Sequence, residues 1–106
     1  MDISFIQNFN ELEVQLRGEI DHHCAAAVAK TIDFKIRRHR PVLLIMDFGG
    51  VSFMDSSGLA IVMGRKKTMN SIDGSLEIRH LNGSAKKIFE MAHLDRFVTI
   101  QKEDIK

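Results

Sequence analysis

Hydrophobic and polar positions alternate in "ISFIQ" (3–7) and again in "LEVQLRG" (12–18), the period of a strand with one buried face. The "NFNE" between them suits a tight turn through its asparagines, so the chain is expected to open on a β-hairpin. Beyond Gly18 the period changes. In "EIDHHCAAAVAKTIDFKIRRH", Ala25, Val28, Ala29, Ile32 and Ile36 recur near helical spacing, and Asp21 stands where it can cap the first turn. Pro41 requires that helix to end before it. "VLLIMDF" (42–48) is an unbroken apolar run of strand length, which predicts a central strand covered on both faces.

"VSFM" reads as an apolar turn leading out of that strand into a second helix from about Ser57 to Asn70. Leu59, Val62, Met63, Thr68 and Met69 share related faces of it, and "SIDG" ends it with turn chemistry. "SLEIRHL" alternates again, "NGSAKKIFEMAHL" forms a third helix that Asn82 or Ser84 can cap, and "FVTI" is a last short strand. The order β β α β α β α β favours an α/β fold with crossover helices over a helical bundle.

A chain of 106 residues is one domain's worth, so a single domain over 1–106 is expected. Lys plus Arg (15) nearly balances Asp plus Glu (14), and net charge therefore argues neither for nucleic acid nor for an acidic membrane. The local run "KIRRHR" is read as the solvated end of the first helix, where cations suit the dipole. The lone Cys24 cannot form an internal disulfide, which fits a reducing compartment, and it is read as a small buried residue on an alanine-rich face. No targeting segment and no apolar run of membrane-spanning length is present, so a cytoplasmic location is expected.

The chemistry concentrates at "MDSSG", where two serines stand at the strand-to-helix join. A catalytic nucleophile, a bound anion, a modification site and a helix cap are all open to such a pair. Catalysis is disfavoured, because the surroundings of Ser56 are not G-x-S-x-G and the histidines that could act as a base are scattered. Adjacent His22 and His23 point about 100° apart on a helix, which disfavours joint metal ligation and suggests one packed and one solvated ring. No phosphate-binding glycine motif occurs, and no cofactor is expected. "GRKK" (64–67) reads as a solvated helix face. Two readings of the join remain. A hydroxyl there can cap the helix, whose first amides lack internal partners; or Ser56 can be a switch, since a phosphate would add about −1.5 to −2 charges beside Asp55. Gly58 would clear side-chain bulk next to the serines in either case.

"GEIDHH" followed by "VLLIMDFGGVSFMDSSGLAIVMGRKK" resembles the bacterial anti-sigma factor antagonists, most closely the sporulation type, within the STAS domain group. The resemblance runs from about residue 3 to residue 100 and is most specific in "SFMDSSGL", which is similar to that family's phosphorylation motif. It implies a mixed sheet of four or five strands with helices packed mainly on one face, and partner switching rather than enzyme activity. It further implies an anti-sigma factor that is also a serine kinase as partner, phosphorylation on Ser56 with release of that partner, and restoration by a PP2C-type phosphatase. Asp55 and Ser57 flank that serine, and Asp21 would lie beside it from the preceding turn. Arg65, expected to point outward with Lys66 and Lys67, would join Asp21, Asp55, Ser57 and Gly58 in partner binding. The rival reading is a STAS sensor or scaffold acting through ligand or protein contacts without phosphorylation. Sporulation-type members continue into a further helix, whereas this chain stops at "QKEDIK".

Overall fold

The structure is a computed structural model that describes residues 1–101; the expectation for the carboxy-terminal end beyond them lies outside the described residues. Strands β1 (Asp2–Asn8) and β2 (Glu11–Ile20) form the opening hairpin. Helix α1 (Ala25–His39), β3 (Leu43–Met54), α2 (Ser57–Ser71), β4 (Ser75–Arg79), α3 (Gly83–Met91), a 3₁₀ turn (Leu94–Arg96) and β5 (Thr99–Ile100) follow. The sheet order is β1-β2-β3-β4-β5, antiparallel at the first pair and parallel at the other three. Each strand therefore lands beside its predecessor, and three successive crossovers in one direction put α1, α2 and α3 against one shared core.

That core lies on one face of the sheet. Leu12, Val14 and Leu16 of β2, Leu44, Met46 and Phe48 of β3, and Leu76 and Ile78 of β4 meet Val28, Ile32 and Ile36 of α1 and Ile61, Val62 and Met69 of α2 in one cluster. Phe48 packs edge-on against Phe89 of α3, ring centroids 5.3 Å apart. The opposite face is polar. In register with Ile45 and Asp47 stand Glu13, Gln15, Glu77 and Arg79, tied by a Gln15–Glu13 hydrogen bond of 2.8 Å and an Arg79–Glu77 ion pair of 2.7 Å. Ile45 is buried there, at 3% exposure, flanked by these long side chains instead of by a helix. The apolar run of β3 thus has helices on one face only, a correction to the expectation from sequence.

β3 is also longer than the apolar run that signals it. "GGVSFM" is strand, not turn, because β2 continues to Ile20 and pairs with it from Arg17↔Gly50 to Ile20↔Met54 across two irregularities. Gly50 is required at the crossing: a Cβ there would stand 2.4 Å from Arg17 Cγ. The caps expected for α3 act elsewhere. Ser84 Oγ accepts the Met54 N–H (2.9 Å) and Asn82 Nδ2 donates to the Gly49 carbonyl (3.3 Å), so both tie α3 to the long end of β3.

Candidate functional site

The long β2–β3 ladder carries two turns past the end of β4. Asp55 N–H donates to the Ile20 carbonyl (3.0 Å), and beyond that bond β2 turns into α1 while β3 turns into α2. Parallel strands end here and the helices begin, so amide groups from two helix starts converge.

Asp55 organises the join. Its Oδ1 accepts the Ser57 N–H (2.9 Å) and the Ser57 hydroxyl, and its Oδ2 accepts the His22 N–H (3.2 Å) with His22 Nδ1 at 3.7 Å. The Ser57 hydroxyl first, then the Ser57 amide, favour the ionised carboxylate; burial opposes them, the His22 amide and ring add to them, and together they hold its pKa below the usual 3.8. Of the two readings open for the serine pair, the cap falls to neither hydroxyl: Asp55 supplies it. Ser56, at the N-cap position with φ −64° and ψ −15°, makes no side-chain cap hydrogen bond, and its side chain is exposed.

Asp21 lies in the neighbouring turn, but its carboxylate serves that turn. Oδ1 accepts the N–H groups of His23 (2.9 Å) and Cys24 (3.2 Å), and its carbonyl accepts that of Ala25 (3.1 Å). α1 accordingly starts at Ala25 after a capped turn, and the bridge between the two turns runs from His22 to Asp55. Both histidines are exposed, with ring centroids 4.0 Å apart, against the expected one-in, one-out arrangement. Among the described residues no group of three or more His, Cys, Asp or Glu is placed to hold a metal ion.

Two expectations about α2 are corrected. Gly58 does not open space at the surface: it is buried, and a Cβ there would lie 2.2 Å from Met54 Sδ, so glycine is needed for α2 to close onto β3. Arg65 does not face outward. It is 8% exposed, wedged between α2 and α1, with Nε 2.8 Å from Asp33 Oδ1, a carboxylate that also accepts the Thr68 hydroxyl at 3.1 Å. The outward stripe of α2 is instead Ser56, Ala60, Met63 and Lys67, spaced four, three and four apart, with the 46%-exposed Phe53 on the adjoining strand. Met63 looks like core in the sequence, since nothing local distinguishes an exposed methionine from a buried one.

A separate cleft of about 440 Å³ lies among Gln15, Arg17, Asp47, Gly49, His80 and Asn82, where β4 leaves β3; none of the serine-site residues lines it.

The STAS domain model matches residues 2–103, which is nearly the whole chain. The chain belongs to the STAS domain family. It is 30% identical over 94 residues to the anti-sigma F factor antagonist of Paenibacillus polymyxa, covering 89% of this chain and 80% of the relative. It is 25% identical over 100 residues to the anti-sigma-B factor antagonist of Bacillus subtilis strain 168, covering 94% and 90%. Among solved structures, the anti-sigma factor antagonist SpoIIAA in its unphosphorylated form superposes with a TM-score of 0.81 at 24% identity, over 96% of this chain and 90% of the other. The Bacillus SpoIIAA in its phosphorylated form gives 0.72 at 24%, over 96% and 93%. The expected fold, a mixed sheet with its helices on one side, is the fold of this STAS domain.

Proposed function

We propose that this STAS domain is an anti-sigma factor antagonist, a regulator and not an enzyme, switched by phosphorylation of Ser56. Unmodified, it binds an anti-sigma factor that is also a serine kinase and so frees a sigma factor. Phosphorylated, it releases that partner, and a PP2C-type phosphatase restores it. Sporulation is the programme that the motif suggests, and the cytoplasm is where such partners meet.

The observation that carries the reading is the division of labour at the join. Asp55 supplies the cap to Ser57, which leaves the Ser56 hydroxyl exposed and uncommitted at a helix start. A serine needed for capping would be a poor switch, because its modification would disrupt the helix it holds. The partner's docking surface is the exposed stripe Ser56, Ala60, Met63 and Lys67 with Phe53, apolar at its centre as interface cores are. Ser57 and Asp55 shape it from beneath, Gly58 sets its depth, and Asp21 acts through the turn that presents His22 to Asp55. Arg65 serves the α1–α2 contact.

Incubation with ATP and a cognate anti-sigma kinase, followed by intact mass measurement and peptide mapping, tests the reading. One phosphate on Ser56 is expected, and none on a Ser56→Ala variant. An unmodified chain that still binds the anti-sigma factor would favour the phosphorylation-independent STAS scaffold instead.

A further inference from the structure

The pole opposite Ser56 collects the N-terminal ends of the parallel strands and the C-terminal ends of α1 and α2. The Val42 and Leu43 amides donate to the Asn10 carbonyl (2.7 and 3.4 Å), and the Val42 carbonyl accepts the Ser75 amide (2.8 Å). These bonds hold the tip of the β1–β2 hairpin beside the residues that follow α1. At that tip the positive φ falls not on an asparagine but on Phe9 (φ 40°), whose ring is 99% exposed. A bulky residue in the left-handed region costs stability that an unpacked, exposed ring does not return, and such a cost points to a role outside folding.

Val42, next to the tip, is 57% exposed, and Arg40 lies two residues before it. Arg37 and Arg38 are exposed in the last turn of α1, with the 58%-exposed Phe34 one turn back on the same face. Lys35 is turned toward the sheet, its Nζ 5.2 Å from the Phe5 ring centroid. Against these cations stand Glu11 at the start of β2 and the exposed Asp73 after α2, while Asp33 of α1 is paired with Arg65. The basic run read from sequence as a solvated helix end is therefore joined, in space, to an exposed aromatic tip.

We propose that this pole docks on a bilayer surface of anionic phospholipid. Phe9, with Val42, enters the interface as an apolar wedge, while Arg37, Arg38 and Arg40 pair with headgroup phosphates. An apolar insertion and a basic patch are each weak alone and sufficient together for reversible attachment. Docked this way, the strands run away from the bilayer and the Ser56 pole stays in solution. The proposal does not depend on modification of Ser56.

The chain contains no tryptophan, so Phe9→Trp places a single fluorophore at the tip of the full chain. Its emission is expected to shift to the blue with vesicles of mixed phosphatidylglycerol and phosphatidylcholine, to stay put with phosphatidylcholine alone, and to revert at high salt. In vesicle sedimentation, Phe9→Ser is expected to lower partitioning about tenfold. Arg37→Glu with Arg40→Glu should lower it about 25-fold or more, roughly fivefold for each cation lost. Both variants change exposed side chains, but charge reversal at the C-terminal end of α1 opposes the helix dipole and should lower that variant's melting temperature by a few degrees. Partitioning is therefore compared well below both melting temperatures, where circular dichroism shows the variants folded. Unshifted emission on anionic vesicles, equal partitioning onto neutral ones, or variants that sediment like the wild type would overturn the proposal. Emission indifferent to vesicles but shifted by polyglutamate would assign the pole to an acidic protein partner, and would equally overturn it.

Discussion

Ser56 occupies a cap position without capping, and that predicts how its variants divide. Ser56→Ala removes a hydroxyl with no cap bond, so stability should change by less than about 0.5 kcal/mol in chemical denaturation. The same variant should bind the anti-sigma factor and resist being switched off. Ser56→Asp, which places a charge on the docking stripe, should lose about a hundredfold in affinity by calorimetry while remaining folded. Ser56→Asp binding as tightly as the wild type would remove the serine from the interface. Asp55 titrates in a different way from a free carboxyl. Its folded-state pKa is depressed below 3.8, so the stabilisation it gives is present above that value and is lost as pH falls through the lower, folded one. Asp55→Asn keeps one acceptor oxygen and loses both the charge and the second acceptor, as a protonated Asp55 would. The melting temperature of the wild type should exceed that of Asp55→Asn near neutrality, and the gap should begin to narrow as pH falls below about 3.8 and close once the pH is under the lower, folded value.

At the scale of elements, the site depends on how α2 is seated on β3 and against α1. Gly58→Ala drives a methyl into Met54, itself buried at 1% exposure, and overpacking of this kind costs about 1–3 kcal/mol. Met54→Ala should cost stability alone yet relieve part of the Gly58→Ala penalty, a coupling that a double-mutant cycle reads directly. Additive effects would mean the two do not touch. Arg65 and Asp33 join α2 to α1 through a largely buried ion pair, with Arg65 Nη1 buried and lacking a hydrogen-bond partner among the described residues. Arg65→Ala leaves Asp33 uncompensated and should destabilise the domain by about 3 kcal/mol in urea denaturation. Replacing Arg65 and Asp33 together by leucines should recover much of it. Recovery absent from the double variant would show that packing, and not charge, dominates that contact.

For the whole molecule, the sheet separates two poles. β3 alone spans twelve residues, roughly 35 Å of strand, and the longest dimension of the domain is 35 Å. One core cluster reaches from β2 to α3, which favours a single cooperative unfolding transition. Phosphate on Ser56 would meet the amides of a helix start, a gain of about 0.3–1 kcal/mol, opposed by the neighbouring Asp55 carboxylate. The phosphorylated domain should therefore melt within about 5 °C of the unmodified one by calorimetry. A larger fall would make the switch an unfolding event and not a change of surface.

The sequence by itself determined the elements and their order, because period-two and helical spacings are local: Val28, Ile32 and Ile36 lie on one face of α1 whatever packs against them. It also determined the position of the serine pair at a strand-to-helix join and, through the motif, the family. Tertiary structure decided what each polar residue at that join does. Nothing local tells which of Asp55, Ser56 and Ser57 will cap α2, since all three types can; the ladder from Ile20 to Asp55 sets the approach and gives the cap to Asp55. Arg65 and Lys67 are both cations on one helix, and only the position of α1 buries the first and leaves the second in solvent. Glycine in "GGVSFM" looks like a break in a strand, yet partner pairing makes it strand, because a ladder is completed by residues more than thirty positions away.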